Sequence, residues 1–478
     1  VKLTHLYATE LNETVTQVYP DLPEDLQLKL VNHPHARELS LPQDWWSDNT
    51  LVRLLKDTEF CLSRQAVAQK YGGYQFGHWN PLLGDGRGLL LGEVENQTHQ
   101  RIDLHLKGAG QTPYSRQGDG RAVLRSTLRE YIGSEALFHL GIPSSRALCL
   151  FDSTETVLRE MPETAAMMIR TAPSHLRFGH FEYYYHSGDS ANLTRLFEHT
   201  FIHHFPEVLS QANPHQALLK AIVLRTARMV ALWQAYGFVH GVMNTDNMSV
   251  HGITFDFGPY AFIDNFVSNA VFNHTDHQGR YAFDQQPGVA LWNLNALAQA
   301  FSGYCSTDEL KQTLMLFEPT FMSCYQQLMA TRLGFSESNE QSLALVNGFL
   351  SMLANQQRDY HKLFRKLSGQ DLHQKESAMR DDFIDRSEFD SWWQQYRHYR
   401  LASGDPSAQS ALMDSVNPVV VARTHHLQYA IDAAKEGDYA VTRELLQALQ
   451  SPFDAKWLST QWADGPIEET AVSLSCSS

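Results

Sequence analysis

The chain has 478 residues, 43% of them hydrophobic and 19% charged, the balance of a folded protein with core material for two or three lobes. Its formal net charge of −15 argues against non-specific nucleic-acid binding and against docking on an anionic membrane. An anionic ligand would have to be held by a few locally placed Arg and Lys side chains.

Residues 1–65 read as an N-terminal extension of mixed polarity, with a helix expected around Asp44–Leu55. Glycine is dense from Tyr71 to Gly92 (YGGYQFGHWNPLLGDGRGLLLG), and two short apolar runs flank GDGRG, which predicts a hairpin turn between strands. RIDLHLK alternates apolar and polar residues and predicts a strand ending at Lys107. Gly108–Gly120 reads as loop. Arg121–Leu140 has helical periodicity and is stopped by Gly141-Ile142-Pro143. Strand-like runs follow at Ala147–Phe151, Thr156–Leu158 and Ala166–Ile169. A long helix is expected from Ala217 to Gly237, and the chain is chiefly helical from Gly288 onward.

These elements predict an α+β chain in four parts: the extension at 1–65, a strand-rich lobe at 66–172, a helical lobe at 173–400, and a C-terminal helical extension with a Cys-containing tail at 401–478. The order is that of a bilobal, protein-kinase-like fold with N- and C-terminal helical extensions, but fold alone does not fix chemistry. Five cysteines (Cys61, Cys149, Cys305, Cys324 and Cys476), without CxxC spacing, argue against a disulfide scaffold or zinc site. No apolar run approaches the roughly 18 residues of a membrane span, and VKLTHLYATELNET lacks a secretory or transit pattern, so the expected location is the cytoplasm.

The chemistry concentrates in HGVMNTDNMSVHGITFDFG, from His240 to Gly258. A kinase loop reads H-R-D-x-x-x-x-N followed by D-F-G. His240, Asn247 and Asp256-Phe257-Gly258 match it, but Val242 stands where the catalytic base would be. Asn247 and Asp256 offer the hard oxygens that Mg²⁺ prefers. Either alone could be a turn former; their order and the His240 spacing favour metal. Asp246 is the remaining candidate base, or a carboxylate that orients the loop. Lys107 at a strand end and Glu130 on a helix repeat the kinase Lys–Glu pair, with Glu135 as a competitor. Gly84, Gly86 and Arg87 form a loop with an arginine where a kinase would have bare backbone. Arg170, Arg177, Asp119 and Gly120 complete the candidates; Arg87, Arg170 and Arg177 can bind phosphate bidentately, the alternative being surface arginines with carboxylate partners. The histidine-rich HFEYYYH and NHTDH lack HExxH spacing and read as structural or substrate-contacting.

GDGRG, HLKGAG, TPYSRQGDGRAVLRS, APSHLRFGHFE, HGVMNTDNMS, NHTDHQGRY and the terminal CSS resemble, over essentially the whole chain, the selenoprotein O family. That resemblance implies a kinase-like fold binding ATP in reversed orientation, so that AMP passes to Ser, Thr or Tyr hydroxyls of proteins. It implies Gly84, Gly86, Arg87, Lys107, Asp119, Gly120, Arg170 and Arg177 as nucleotide ligands, with Glu130 as the lysine's partner. Asp246 is the implied proton acceptor, and Asn247 and Asp256 the ligands of Mg²⁺ or Mn²⁺. Cys476 falls where many eukaryotic members carry selenocysteine. Some relatives pair that residue with a cysteine after the metal Asp, and none lies from Asp256 to Pro287 here. The partners the resemblance implies are protein substrates with a redox association; the net charge argues against nucleic acid and membrane, and a monomer is expected. Ordinary kinase activity, a silent nucleotide-binding scaffold, and UTP in place of ATP are the alternatives.

Overall fold

A computed structural model describes residues 3–57, 62, 64–466 and 474. The first part contributes α1 (Leu6–Glu10), β1 (Val15–Gln17), β2 (Gln27–Val31), α2 (His33–Glu38) and α3 (Thr50–Lys56). Next come β3 (Val67–Gln69), a small hairpin of β4 (Gly73–Gln75) and β5 (His78–Asn80), β6 (Gly88–Glu95) and β7 (Arg101–Lys107). After β8 (Ala122–Val123) and α4 (Leu124–His139), the long strands β9 (Arg146–Leu158) and β10 (Pro162–Ala172) complete an antiparallel sheet of order β1-β3-β6-β7-β10-β9-β2, with β8 on β10. β6 and the end of β7 are buried on both faces, which is why their sequences read as near-continuous apolar runs. α4 covers one face over β9 and β10, while α2 and α3 supply core residues to a separate cluster.

The rest is mainly helical: α5 (Phe178–His186), α6 (Ser190–His203), α7 (Pro214–Ala235), the two-strand ribbon β11 (Phe238–Val239) and β12 (Ala261–Phe262), α8 (Gln286–Gln299), and further helices to Gln450. α7 starts where the Asn213 side chain accepts from the His215 and Gln216 amides (3.1 and 3.2 Å), with Pro214 in its first turn. It ends at Gly237, whose φ of +63° suits glycine. The chain then passes through β11 into His240, so the longest helix described delivers the HGVMNTDN loop. Two C-terminal helices, Thr424–Lys435 and Ala440–Gln450, pack against α4.

The architecture is therefore mixed α and β with antiparallel sheets. Three expectations need correcting. The N-terminal part is not solely helical, because it supplies both outer strands of the main sheet. The helix expected over Asp44–Leu55 is split into a 3₁₀ turn, Gln43–Trp46, and α3, since Asp48 and Asn49 both take positive φ. GDGRG is not a strand–strand hairpin: only β6 follows it, and the preceding residues are loop. RIDLHLK is β7 from end to end, and the Ala147–Phe151 and Thr156–Leu158 runs belong to one strand, β9. Cys149, Cys305 and Cys324 are free; Cys61 and Cys476 lie outside the described residues. Among the described residues, no helix is long and apolar enough to cross a membrane.

Candidate active site

A cleft of about 600 Å³ lies between the sheet and the helical part, lined by the Gly84–Gly88 loop, the end of β7, the Tyr114–Arg121 loop, Arg170, Arg177 and the two loops around Asp246 and Asp256. The glycine loop is shaped by close packing. A Cβ on Gly84, at φ +140°, would stand 2.9 Å from the Gln69 carbonyl. Asp85 turns inward to accept from the Gln69 amide (3.0 Å) and the Tyr71 hydroxyl (3.3 Å), and Thr112 donates to the Asp85 carbonyl (2.7 Å). The loop is thus pinned to β3 and to the following turn, leaving Arg87 to line the cleft. Among the described residues Arg87 has no carboxylate within ion-pair distance. Burial, followed by the nearby Arg159 and Arg170 charges, holds its guanidinium below the usual arginine range.

Lys107, the last residue of β7, is ion-paired with Glu130 of α4, so the pair read from the sequence is in contact. Glu135, its competitor, instead pairs bidentately with Arg146 at 2.8 Å. Glu130 also accepts from Arg170 (3.1 Å), whose same nitrogen lies 2.5 Å from Asp256 Oδ1. Arg177 pairs with the other oxygen of Asp256 and donates to the Asp246 carbonyl at 2.6 Å. One chain of contacts therefore runs from Lys107 through Glu130, Arg170, Asp256 and Arg177 to the turn carrying Asp246. Burial alone would raise the Asp256 pKa, but Arg170 and Arg177 outweigh it and hold the carboxyl well below the usual range. Lys107 is pushed well below the usual lysine range by burial first, then by Arg87 and Arg170. Four cationic groups face two carboxylates here, and a polyanion would relieve their mutual repulsion.

Asp246 sits in a 3₁₀ turn, Thr245–Asn247, under the β4–β5 hairpin. Thr245 ties the two together: it accepts from the Tyr74 amide (2.7 Å) and donates to the buried Glu182 carboxyl (2.6 Å). Asp246 Oδ1 is buried with no hydrogen-bond partner, and burial raises the carboxyl to a pKa of about 7 against the opposing pull of Arg177. Val242, at the kinase base position, is buried, and its carbonyl accepts from Asn247 Nδ2 at 2.9 Å. His240 bridges the two loops by donating to the Phe255 carbonyl at 3.1 Å.

Asp119 and Gly120 lie at the rim. Asp119 is half exposed and engages both terminal nitrogens of Arg159, at 2.8 and 2.9 Å. Gly120 takes φ +70° where its backbone meets that of Gly110. The cleft thus brings together every candidate from the sequence, with Glu130 immediately beneath Lys107. It also contains residues that the motifs did not single out: Arg159, His105, Tyr71 and Asn244. Arg159 follows an exposed Leu158 at the end of β9, and nothing in the local sequence marks it. His105 was legible only as an inward position of β7, two residues before Lys107.

The donor set fits a hard divalent cation. With Asn247 Nδ2 held by Val242, the amide Oδ1 is the atom left for a ligand, and Asp256 supplies an ionised carboxylate. Asp256 itself takes φ +61°, a left-handed conformation uncommon for a residue with a side chain and concentrated at functional positions.

A family model described as "Protein adenylyltransferase SelO" matches residues 2–450. The chain belongs to the SelO family. A curated relative from Pseudoalteromonas atlantica, named "Protein nucleotidyltransferase YdiU", is 49% identical over 480 residues, spanning 100% of both chains. Proteins of the same name from Pseudomonas fluorescens Pf-5 and Stutzerimonas stutzeri are 49% and 45% identical, covering 86% and 97% of this chain and 85% and 96% of their own. The Leu474 carbonyl accepts from the His274 amide (2.9 Å) and lies 2.6 Å from His274 Nδ1.

Proposed function

We propose that this chain transfers AMP from ATP to Ser, Thr or Tyr hydroxyls of proteins, releasing pyrophosphate. The observation that carries the reading is the pairing, in one cleft, of a guanidinium-rich floor with a buried carboxylate, Asp246, that has an unpartnered oxygen. A γ-phosphoryl transfer site needs its base at the Val242 position. A site that moves the nucleotidyl group needs a firm hold on the outgoing pyrophosphate, which Arg170, Arg177 and Lys107 supply.

In this reading the triphosphate enters with its β- and γ-phosphates inward on those three residues. Arg87 and the Gly84–Gly86 loop flank it, Asp119 and Gly120 meet the nucleoside end at the rim, and Glu130 aims Lys107. The α-phosphorus then faces Asp246. The acceptor hydroxyl attacks in line, Asp246 takes its proton, and the bond from the α-phosphorus to the bridging oxygen of pyrophosphate breaks. Asn247 and Asp256 would hold Mg²⁺ or Mn²⁺, which neutralises charge on the phosphates. The acceptor approaches along a second cleft of about 770 Å³, lined by His78 and the Asn269–Gln285 segment and sharing Phe76 with the first. We assign residues 66–172 and 173–400 as kinase-like lobes carrying the nucleotide loop and the metal residues, and 1–65 and 401–478 as extensions. Cytoplasmic proteins, including redox-related ones, are the acceptors in this reading, and the acting form is a monomer.

ATP labelled on either the α- or the γ-phosphate, incubated with the protein and a cell extract, decides the reaction. Attachment of the α label alone is expected; attachment of the γ label alone would make the protein a kinase. Neither label attached, with tight metal-dependent ATP binding, would make it a scaffold. UTP labelled on its α-phosphate, run in parallel, reports the base preference.

A further inference from the structure

We propose a second metal site, remote from the cleft, formed by Glu10, His199 and His203 and selective for a divalent transition ion that favours imidazole, with Zn²⁺ as its representative. His199 and His203 are four residues apart on α6, which places both imidazoles on one helix face. Both point at one carboxylate at the end of α1: Glu10 Oε2 is 2.7 Å from His199 Nδ1 and 2.9 Å from His203 Nε2, and Oε1 is also 2.9 Å from the latter. Among the described residues this is the one group of three whose candidate ligand atoms all lie within 4.8 Å of one another.

The two Glu–His contacts need little change to take an ion. Tetrahedral zinc with bonds of about 2.0–2.1 Å separates its ligand atoms by roughly 3.3 Å, so each Glu–His contact has to open by only a few tenths of an ångström. The His199 side chain is almost fully enclosed, that of His203 is 12% exposed and that of Glu10 40%, so two ligands are held by packing and an entry path remains. The fourth position is left to water. One contact has to be exchanged. Arg101 Nη1 lies 2.9 Å from His203 Nδ1, and metal on Nε2 requires a proton on Nδ1, so the exposed Arg101 side chain swings into solvent. Two imidazoles and one carboxylate select Zn²⁺, Co²⁺ or Ni²⁺ over Mg²⁺, whereas Asn247 and Asp256 offer oxygen alone. The ion would cross-link α1 to α6, tying the N-terminal residues to the helical part.

Full-length protein stripped with chelator, then held in excess Mg²⁺, is titrated with Co²⁺. One equivalent is expected to bind with a visible d–d absorption band, to be displaced by Zn²⁺, and to slow amide exchange in residues 6–11. His203→Ala and Glu10→Gln both change partly exposed side chains, and each is expected to weaken Co²⁺ binding at least about tenfold. Mg²⁺-dependent ATP binding and melting temperature without Co²⁺ should stay near wild type. Wild-type Co²⁺ affinity in both variants, or no saturable binding to the wild type up to about 1 mM, the weak end of specific binding, would overturn the site.

Discussion

Gly73 faces the side chain of Asp246 so closely that a Cβ placed on it would stand 2.6 Å from Asp246 Oδ1 and 2.8 Å from Asp246 Cβ. The hairpin therefore roofs the acidic side chain with bare backbone, and a methyl group could enter only by displacing it. Gly73→Ala should lower the rate of AMP transfer by about ten- to a hundredfold, because an ångström of misplacement at a reacting group has that effect. ATP affinity should hardly change. Steady-state kinetics with ATP and a protein acceptor separate the two.

The environment of Asp246 sets a pH signature. If it accepts the acceptor's proton, it must be ionised, so the transfer rate should climb with pH and level off above about 7. Asp246→Asn should abolish transfer across the whole range.

The same residue should act on stability with the opposite sense. Folding raises its pKa from 3.8 to about 7, so the folded chain prefers the neutral carboxyl. The stability linked to it is complete below about pH 4 and is lost as pH rises to 7, a difference of roughly 4 kcal/mol. Without nucleotide or metal, Asp246→Asn should melt a few degrees above the wild type at pH 8 and show no such gain at pH 4. Glu182, raised by burial to about 8, contributes with the same sign, and Glu182→Gln in parallel separates the two.

Asp256 and Arg87 should respond differently to loss. Asp256 neutralises two buried guanidinium groups, so Asp256→Asn should lower the melting temperature of the free protein and cut transfer at least a hundredfold. Arg87 has no carboxylate partner to orphan among the described residues. Arg87→Ala should leave the melting temperature near wild type and raise the KM for ATP about tenfold, the loss of one charge-assisted phosphate contact. Thermal melts with and without ATP distinguish these cases.

Much of the cleft was legible because its chemistry sits at element boundaries. Lys107 closes an alternating strand and Glu130 lies in a run of helical apolar periodicity, so local periodicity positioned both, although α4 is buried on nearly every face. The glycine loop reads locally as a hairpin because glycine marks a turn without saying what it turns against. Here the partners are Gln69, Tyr71 and Thr112, contacts that no local pattern encodes. Arg159 was invisible for the same reason, since its place on the rim depends on the β9–β10 register. Glu10 and the α6 histidines lie far apart in sequence, and their meeting follows from how α1 packs on α6.

Both outermost strands of the main sheet come from the first 31 residues: β1 on β3, and β2 on β9. During synthesis these strands emerge first, yet Leu28 cannot find its partner Phe151 until most of the sheet has left the ribosome. Such distant pairings are slow and leave unpaired edges open to neighbouring chains. A deletion or fusion that disturbs this segment would strip both selvedges from the sheet at once, and poor yield of N-terminally shortened protein would then report self-association rather than damage to the cleft.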